Sequence, residues 1–394
     1  MTQNSQIQNL LTKGVSNIID RENLEKKLES GEKLTIKFGI DPTAAKVHIG
    51  HMVPFLKLKE FQKMGHKIVL LFGDATAQVG DTSDKDAERP MLTRDETRAN
   101  AEAFLQKFSK VIDIDKIEIY YNSEGLDAVN FAGVGELAKN FSVAEMLDRD
   151  NFSKRYKGGK RISLQEFLYP IMQGYDSVCI ARKYGACDLE LGGNDQYFNL
   201  LAGRRIMGAF DIPKQDIMTF DLLLGTDGEK MSKTKPNCIL IDEAPQSMYQ
   251  KLINVKDDMI IHYFELATDA TLEEIETIKT RLADGEHPNN IKKELAQRII
   301  TMYHGKPYDE NDISNVELIS LGENEMVADG KITIANLLKA VKFCATSGDV
   351  RNAVSGGSVR LDGEKIEDIR QEVTLSNEQK LLQMGKKKAV RVTL

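Results

Sequence analysis

Along the first 225 residues, short apolar runs alternate with longer stretches whose apolar positions recur at helical spacing. The runs at 34–40, 68–72, 117–121, 189–191 and 217–224 are short and nearly continuous, which predicts strands buried on both faces. Between them, 53–64, 94–111, 164–184 and 196–207 predict helices. This alternation is the rhythm of a doubly wound α/β domain on a parallel sheet, here over 1–225. The texture changes after Asn237: 247–255, 258–266, 272–282 and 291–303 read as helices with hardly a strand between them, predicting a helical domain over 247–325. A connector from Gly322 to Gly330 then leads to a small α+β unit over 332–394. In it 334–343 reads as a helix and Asp362-Gly363 marks a hairpin.

Composition narrows the class. A chain of 394 residues with 41% hydrophobic and 29% charged residues is an ordinary globular composition, long enough for two or three domains. The net charge is -7, yet from Lys331 onward 12 Lys and Arg stand against 7 Asp and Glu, which leaves -12 on the rest. The net charge argues against a protein coated in basic residues, while an acidic body with a basic tail suits local contact with phosphates, and equally a solvated surface. Cys179, Cys187, Cys238 and Cys344 are scattered, with no pair at the two-residue gap of a zinc or redox site, so free thiols in a reducing cytoplasm are expected. The polar start, 1–9, shows no export signal, and no apolar run reaches membrane-spanning length.

Chemistry concentrates in three places. Gly39-Ile40-Asp41-Pro42-Thr43 leads to His48-Ile49-Gly50-His51 at a predicted helix start. Two imidazoles three residues apart project from one face of that first turn, beside backbone N–H groups that suit an anion. Gly50 removes a side chain where a nucleotide could lie against the backbone. A structural or metal-binding histidine pair is the plainer alternative, and the same pattern serves nucleotidyltransferases of coenzyme biosynthesis. Second, Gly228-Glu229-Lys230-Met231-Ser232-Lys233-Thr234 reads as a Gly- and Thr-rich loop with two lysines three apart. It could close on a triphosphate or simply be solvated surface. Third, Tyr169, Gln173 and Asp176 fall at i, i+4 and i+7 of the predicted 164–184 helix, so one face carries three polar groups among apolar neighbours. They line a pocket or face solvent.

Together these segments resemble the tyrosyl-tRNA synthetase family. Lys230-Met231-Ser232-Lys233-Thr234 is similar to the lysine signature of class I synthetases, with Thr234 in place of the commoner serine. Tyr169-Pro170-Ile171-Met172-Gln173-Gly174-Tyr175-Asp176 and Gly192-Gly193-Asn194-Asp195-Gln196 are similar to the family's substrate signature. The resemblance runs over essentially the whole chain and implies a Rossmann-like catalytic domain. It also implies ATP with Mg2+ as substrate, L-tyrosine and tRNA(Tyr) as the other ligands, no zinc, and no DNA or membrane partner. Asp176 would then meet the phenol, Tyr169, Gln173 and Asp81 the ammonium, and Gln196 the carboxyl group. Gly39, Asp41, Gly193 and Asp195 would meet the ribose, and Leu222 and Leu223 the adenine. Thr43, His48, His51, Lys85, Arg89, Lys230, Lys233 and Thr234 would surround the phosphates.

Lys37 is a departure, standing where many members have a second tyrosine-binding residue; a second bacterial branch resembles the chain better there. The tail resembles an S4 RNA-binding module, in which Arg360, Lys386, Lys387 and Lys388 would contact RNA. Residues 130–164 would supply a homodimer interface, and 226–246 would link the catalytic and helical domains. A related ligase for tryptophan and a noncatalytic RNA-binding relative are the competing readings.

Overall fold

Six strands, β1 (Val15–Ile19), β2 (Thr35–Ile40), β3 (Lys67–Phe72), β4 (Glu118–Tyr121), β5 (Leu189–Gly193) and β6 (Asp216–Phe220), form one sheet in the order β1-β6-β5-β2-β3-β4. The computed structural model describes residues 2–43, 46–80, 92–231, 237–309, 316–322, 324–385 and 388–394. β2 through β6 run parallel and β1 pairs antiparallel with β6. From β2 the chain moves outward to β3 and β4, then returns to place β5 on the other side of β2. The reversal opens a crevice at the carboxyl ends of β2 and β5, where open α/β sheets bind ligands.

The central strands are apolar on both faces because helices cover both. The Val53–Lys63 helix buries Phe55, which stacks on Phe108 at 3.8 Å and meets Phe38 of β2 edge-on at 5.3 Å. The Leu164–Tyr184 helix begins at a Ser163/Glu166 capping box, two orphan N–H groups being satisfied reciprocally, and ends at Gly185 with φ 91°. It packs along the Tyr197–Ala209 helix.

One predicted strand shortens, and one strand was not predicted. β6 stops at Phe220 rather than 224, because its neighbours end there: Gly193 of β5 and Val15 of β1 both pair with Phe220. β1 itself lacks an apolar signature, since Ser16 and Asn17 face solvent at the edge.

The helices Pro245–Leu252, Ile260–Ala267, Leu272–Ala283 and Pro288–His304 follow. Except for residues 244–246, they share one compact unit with the sheet, spanning 1–243 and 247–307. Tyr263 is wholly buried and its hydroxyl donates to the Leu224 carbonyl at 2.8 Å, while Lys13 Nζ donates to the Thr268 carbonyl at 2.6 Å. The change of texture after Asn237 is thus a change of element type within one packed body.

The second unit comprises 308–394 with 244–246. Its strands are β7 (Leu318–Ser320), β8 (Lys331–Thr333), β9 (Val359–Leu361), β10 (Glu364–Lys365), β11 (Glu372–Thr374), β12 (Lys380–Met384) and β13 (Lys388–Thr393). Five form a sheet in the order β10-β9-β12-β13-β7, β8 pairs with β11, and the helices Ile334–Ala340 and Ser347–Ser355 complete the core with Leu337, Leu338 and Val350. Asp362 and Gly363, with φ 52° and 86°, make the expected two-residue hairpin between β9 and β10. Because β7 pairs in parallel with β13, residues 318–320 belong to this unit, and the 322–330 connector lies inside it.

Candidate active site

A cavity of about 310 Å³ opens at the β2–β5 crevice. The loop after β2 supplies Asp41 and Thr43 to its wall, and the 3-10 turn Ile49–Met52 supplies Gly50 and His51. The backbone N–H of His48 donates to His51 Nδ1 at 3.1 Å and the two rings lie 3.7 Å apart, so each histidine fixes the other. A Cβ on Gly50 would come within 3.0 Å of His48 Nδ1, so the glycine makes room for this pairing. His48 itself is not among the lining residues.

Backbone pairing then joins segments far apart in sequence. Ile49 N–H donates to the Ile239 carbonyl at 3.0 Å and Ile241 N–H to the Val47 carbonyl at 3.2 Å. The strand-like stretch leaving the lysine loop is therefore stitched to the histidine turn. The loop's base is also fixed: Asp227 Oδ1 accepts from Glu229 N–H at 3.0 Å and from Asn237 Nδ2 at 2.9 Å. Lys230 is exposed beyond that base, while Lys233 and Thr234 lie outside the described residues.

Tyr169, Gln173 and Asp176 all line the cavity, as their shared helix face predicts. Gly39, Gly193, Gln196 and Leu222 complete much of the remaining wall. Asp195 is exposed beside Gly193, whose Cβ would fall 2.4 Å from its Oδ1, and Leu223 is buried beneath Leu222. Asp81, Lys85 and Arg89 lie outside the described residues. In the second unit Arg360 and Lys388 are exposed, with Lys388 Nζ donating to the Phe343 carbonyl at 2.9 Å. Lys386 and Lys387 are likewise outside the described residues.

The polar groups of the cavity are held by residues with no motif of their own. Tyr169 hydroxyl donates to Asp41 Oδ2 at 2.9 Å and Thr76 hydroxyl to Asp41 Oδ1 at 2.7 Å. Asn122 Nδ2 donates to Thr76 Oγ1 at 3.0 Å and to Asp176 Oδ2 at 3.3 Å, while its oxygen accepts from Ala75 N–H. Asn199 Nδ2 donates to Gln196 Oε1 at 2.9 Å and Arg149 donates to Asn199 Oδ1 at 3.3 Å, which orients the Gln196 amide. Thr76, Asn122 and Arg149 carry no readable sequence signal, since each acts across 35 or more residues, whereas Asn199 holds Gln196 from three positions away.

Asp176 is buried, and its Oδ1 has no hydrogen-bond partner among the described residues. Burial pushes its carboxyl up to about 7, against the opposing pull of Lys37 and the Asn122 hydrogen bond. A buried acceptor left open on a cavity wall costs free energy unless a ligand supplies a donor. Lys37 does not line the cavity. It is fully buried behind it, with Nζ 2.9 Å from Glu190 Oε1 and donating to Ser177 Oγ at 2.9 Å and the Gln173 carbonyl at 3.1 Å. Burial would strip its proton, but the Glu190 and Asp176 carboxylates outweigh that and hold it above the ordinary lysine range. Removing one partner of such a pair strands the other charge, at a cost of about 3–5 kcal/mol.

A parallel sheet with its cavity at the strand-order reversal, a histidine turn tied to a lysine loop, and a polar helix face between them define a nucleotide-activating α/β enzyme. The chain belongs to the class I tRNA synthetases (W and Y), whose family model matches residues 29–316. Among its relatives, tyrosine–tRNA ligase 2 of Vibrio vulnificus strain YJ016 is 39% identical over 393 residues, 98% of this chain and 97% of its own. The tyrosine–tRNA ligase of Bordetella avium is 40% identical over 379 residues, 94% of this chain and 91% of its own. The C-terminally truncated mitochondrial tyrosyl-tRNA synthetase of Aspergillus nidulans shares the fold with a TM-score of 0.63 at 23% identity, over 76% of this chain and 90% of its own.

Proposed function

We propose that this protein is a tyrosine–tRNA ligase. It activates L-tyrosine with ATP to tyrosyl-adenylate and pyrophosphate, then transfers the tyrosyl group to the 3′-terminal adenosine of tRNA(Tyr). The observation that carries this reading is the open Oδ1 of buried Asp176, on the helix face shared with Tyr169 and Gln173. A phenol hydroxyl supplies the donor that this oxygen lacks.

The substrate carboxylate is already a nucleophile at neutral pH, so its attack on the α-phosphate needs positioning and charge stabilisation, with no covalent enzyme intermediate. Gln196 and the Tyr169 end of the helix orient the amino acid. Asp41, Gly193 and Asp195 meet the ribose, and the backbone at Leu222 and Leu223 meets the adenine. Thr43, His48, His51 and Lys230, with Lys85, Arg89, Lys233 and Thr234 of the two loops, neutralise charge as pyrophosphate departs. ATP enters as its magnesium complex.

The remaining partners follow from the surface. Phe131, Val143 and Leu164 are 94%, 69% and 81% exposed, all within 130–164, and this supports a homodimer through that segment. The second unit, S4-like in its basic balance and its hairpin, contacts the RNA backbone through Arg360 and the 386–388 lysines. No described helix is long and apolar enough to cross a membrane; the reading places the enzyme in the cytoplasm. Charging of bulk bacterial tRNA from a mixture of all twenty amino acids tests it. Tyrosine esterified to tRNA(Tyr) is the expected product, and tryptophan on tRNA would overturn the assignment.

A further inference from the structure

Behind the cavity lies an enclosed polar cluster that the reaction itself does not use. Lys37 comes from β2, Glu190 from β5, Ser177 from the Leu164–Tyr184 helix, and Gln215 from the residue before β6. Ser177 Oγ donates to Glu190 Oε2 at 3.4 Å, Gln215 Nε2 also donates to that oxygen, and Gln173 Nε2 lies 3.5 Å from Glu190 Oε1. A Cβ on Gly203 would fall 2.6 Å from Gln215 Nε2 and 2.9 Å from Ser177 Oγ, so the neighbouring helix leaves this space open by carrying a glycine. All four polar residues are buried, at 1% exposure or less. Burying a full charge pair beneath a ligand site is costly in water-to-protein transfer, and a hydrophobic pair would serve packing equally well.

We propose that Lys37 is a specificity-determining positioning residue: clamped by Glu190, Ser177 and the Gln173 carbonyl, it supplies the positive charge that lets Asp176 face the cavity as a carboxylate. This role rests on the tyrosine reading above. Lys37 Nζ is bonded to the helix turn that carries Asp176, at the Gln173 carbonyl and at Ser177, and the charged or titratable groups that act on Asp176 are Lys37, Asp41, Glu190, Tyr120 and Cys179. Of these Lys37 is the only cation. Glu190 and Asp41 push the Asp176 carboxyl toward its neutral form, as burial does. Burial raises the Tyr120 hydroxyl well above its usual range and the Cys179 thiol to about 11, so both stay neutral near pH 7. A carboxylate accepts the phenol's hydrogen bond with a full charge, about twice as strongly as a neutral acid. Lys37 therefore acts on the phenol through Asp176, and holds Gln173 in register through its carbonyl.

The sign of the pH dependence follows. Asp176 accepts best when ionised, so tyrosine affinity weakens as pH falls through the carboxyl's titration near 7. Without Lys37 that titration moves upward, and affinity is lost at a higher pH. The test is equilibrium dialysis of labelled tyrosine against wild type, Lys37→Met and the double variant Lys37→Met/Glu190→Gln, from pH 6.5 to 9. The expected result is that Lys37→Met binds tyrosine about tenfold or more weakly at pH 7, one unit of titration shift being a factor of ten, with the gap narrowing toward pH 9. The double variant, which removes the Glu190 charge together with that of Lys37, falls between the two, and carries the test alone if the single variant does not fold. The rate of adenylate formation at saturating tyrosine changes far less. A loss of equal size at every pH, or none, overturns the role of Lys37 while the tyrosine reading stands. Failure of the unaltered protein to bind tyrosine overturns both.

Discussion

On the proposed reading, the selectivity of the site rests on one oxygen of Asp176. Its Oδ2 is taken by Asn122, its buried Oδ1 has no hydrogen-bond partner among the described residues, and the residue lines the cavity. A site that must satisfy a buried polar group rejects a ligand lacking the matching donor by up to about 10^5, a factor the handling of phenylalanine by tyrosyl-tRNA synthetase itself exemplifies. Asp176→Ala removes that requirement. The expected outcome, read from kcat/KM for pyrophosphate exchange with each amino acid, is a fall for tyrosine of about 100-fold or more and near-equal use of tyrosine and phenylalanine. Retained preference for tyrosine would place selectivity elsewhere. At this scale the sequence was informative where spacing alone brings groups together, as for Tyr169, Gln173 and Asp176 on one helix face. It was silent where they meet through the fold. Lys37 stands four positions before Asp41 in the sequence, yet it points to Glu190 behind the cavity wall and does not line it.

Among the elements, the loop between β6 and the Pro245–Leu252 helix is proposed to carry the nucleotide chemistry, and its base is held by hydrogen bonds. Asn237 closes the base by donating to Asp227 and to the Lys230 carbonyl. Gly225 allows this, since a Cβ there would lie 2.5 Å from Asn237 Nδ2. Gly225→Ala should displace Asn237 and loosen the lysine loop. Single-turnover kinetics should show adenylate formation slowed about tenfold or more with the tyrosine dissociation constant within about twofold of wild type, the pattern of an interaction made in the transition state. Equal losses in both would assign the loop a role in tyrosine binding. The helices and inner strands were legible because their periodicity and continuous burial are local signals. The edge strand β1 was not, because two of its five residues are polar and its pairing with β6 spans 200 residues. Of the extra residues assigned to β6, Asp221 is charged and Leu222 to Leu224 are apolar, but no described strand remains to pair with them.

For the whole molecule, two surfaces are to be tested. Replacing Phe131 and Leu164 together by aspartate places two charges on the apolar 130–164 surface; sedimentation equilibrium should show the dimer dissociating to monomers, with the thermal midpoint of the monomer changed by only a few degrees. An unchanged mass would move the interface elsewhere. Removing residues 308–394 follows the boundary of the second unit, whereas a cut at 332 would strand β7 without its partner β13. The truncated enzyme should keep pyrophosphate exchange within about twofold and lose tRNA charging by about 100-fold, as expected when a phosphate-contacting surface is deleted. Comparable losses in both assays would make the unit structural. The organisation of the chain was only half legible, because composition marks where helices replace strands but not which of them pack together. Tyr263 and Thr268 tie the helical stretch to the sheet through single contacts that no local pattern announces.

The central claim is that the histidine turn, the lysine loop and the Asp176 helix form one tyrosine-activating site. Pyrophosphate exchange measured with each of the twenty amino acids in turn tests it most directly: exchange supported by tyrosine alone is the predicted result, and equal exchange with tryptophan or phenylalanine, or none with any amino acid, would contradict it.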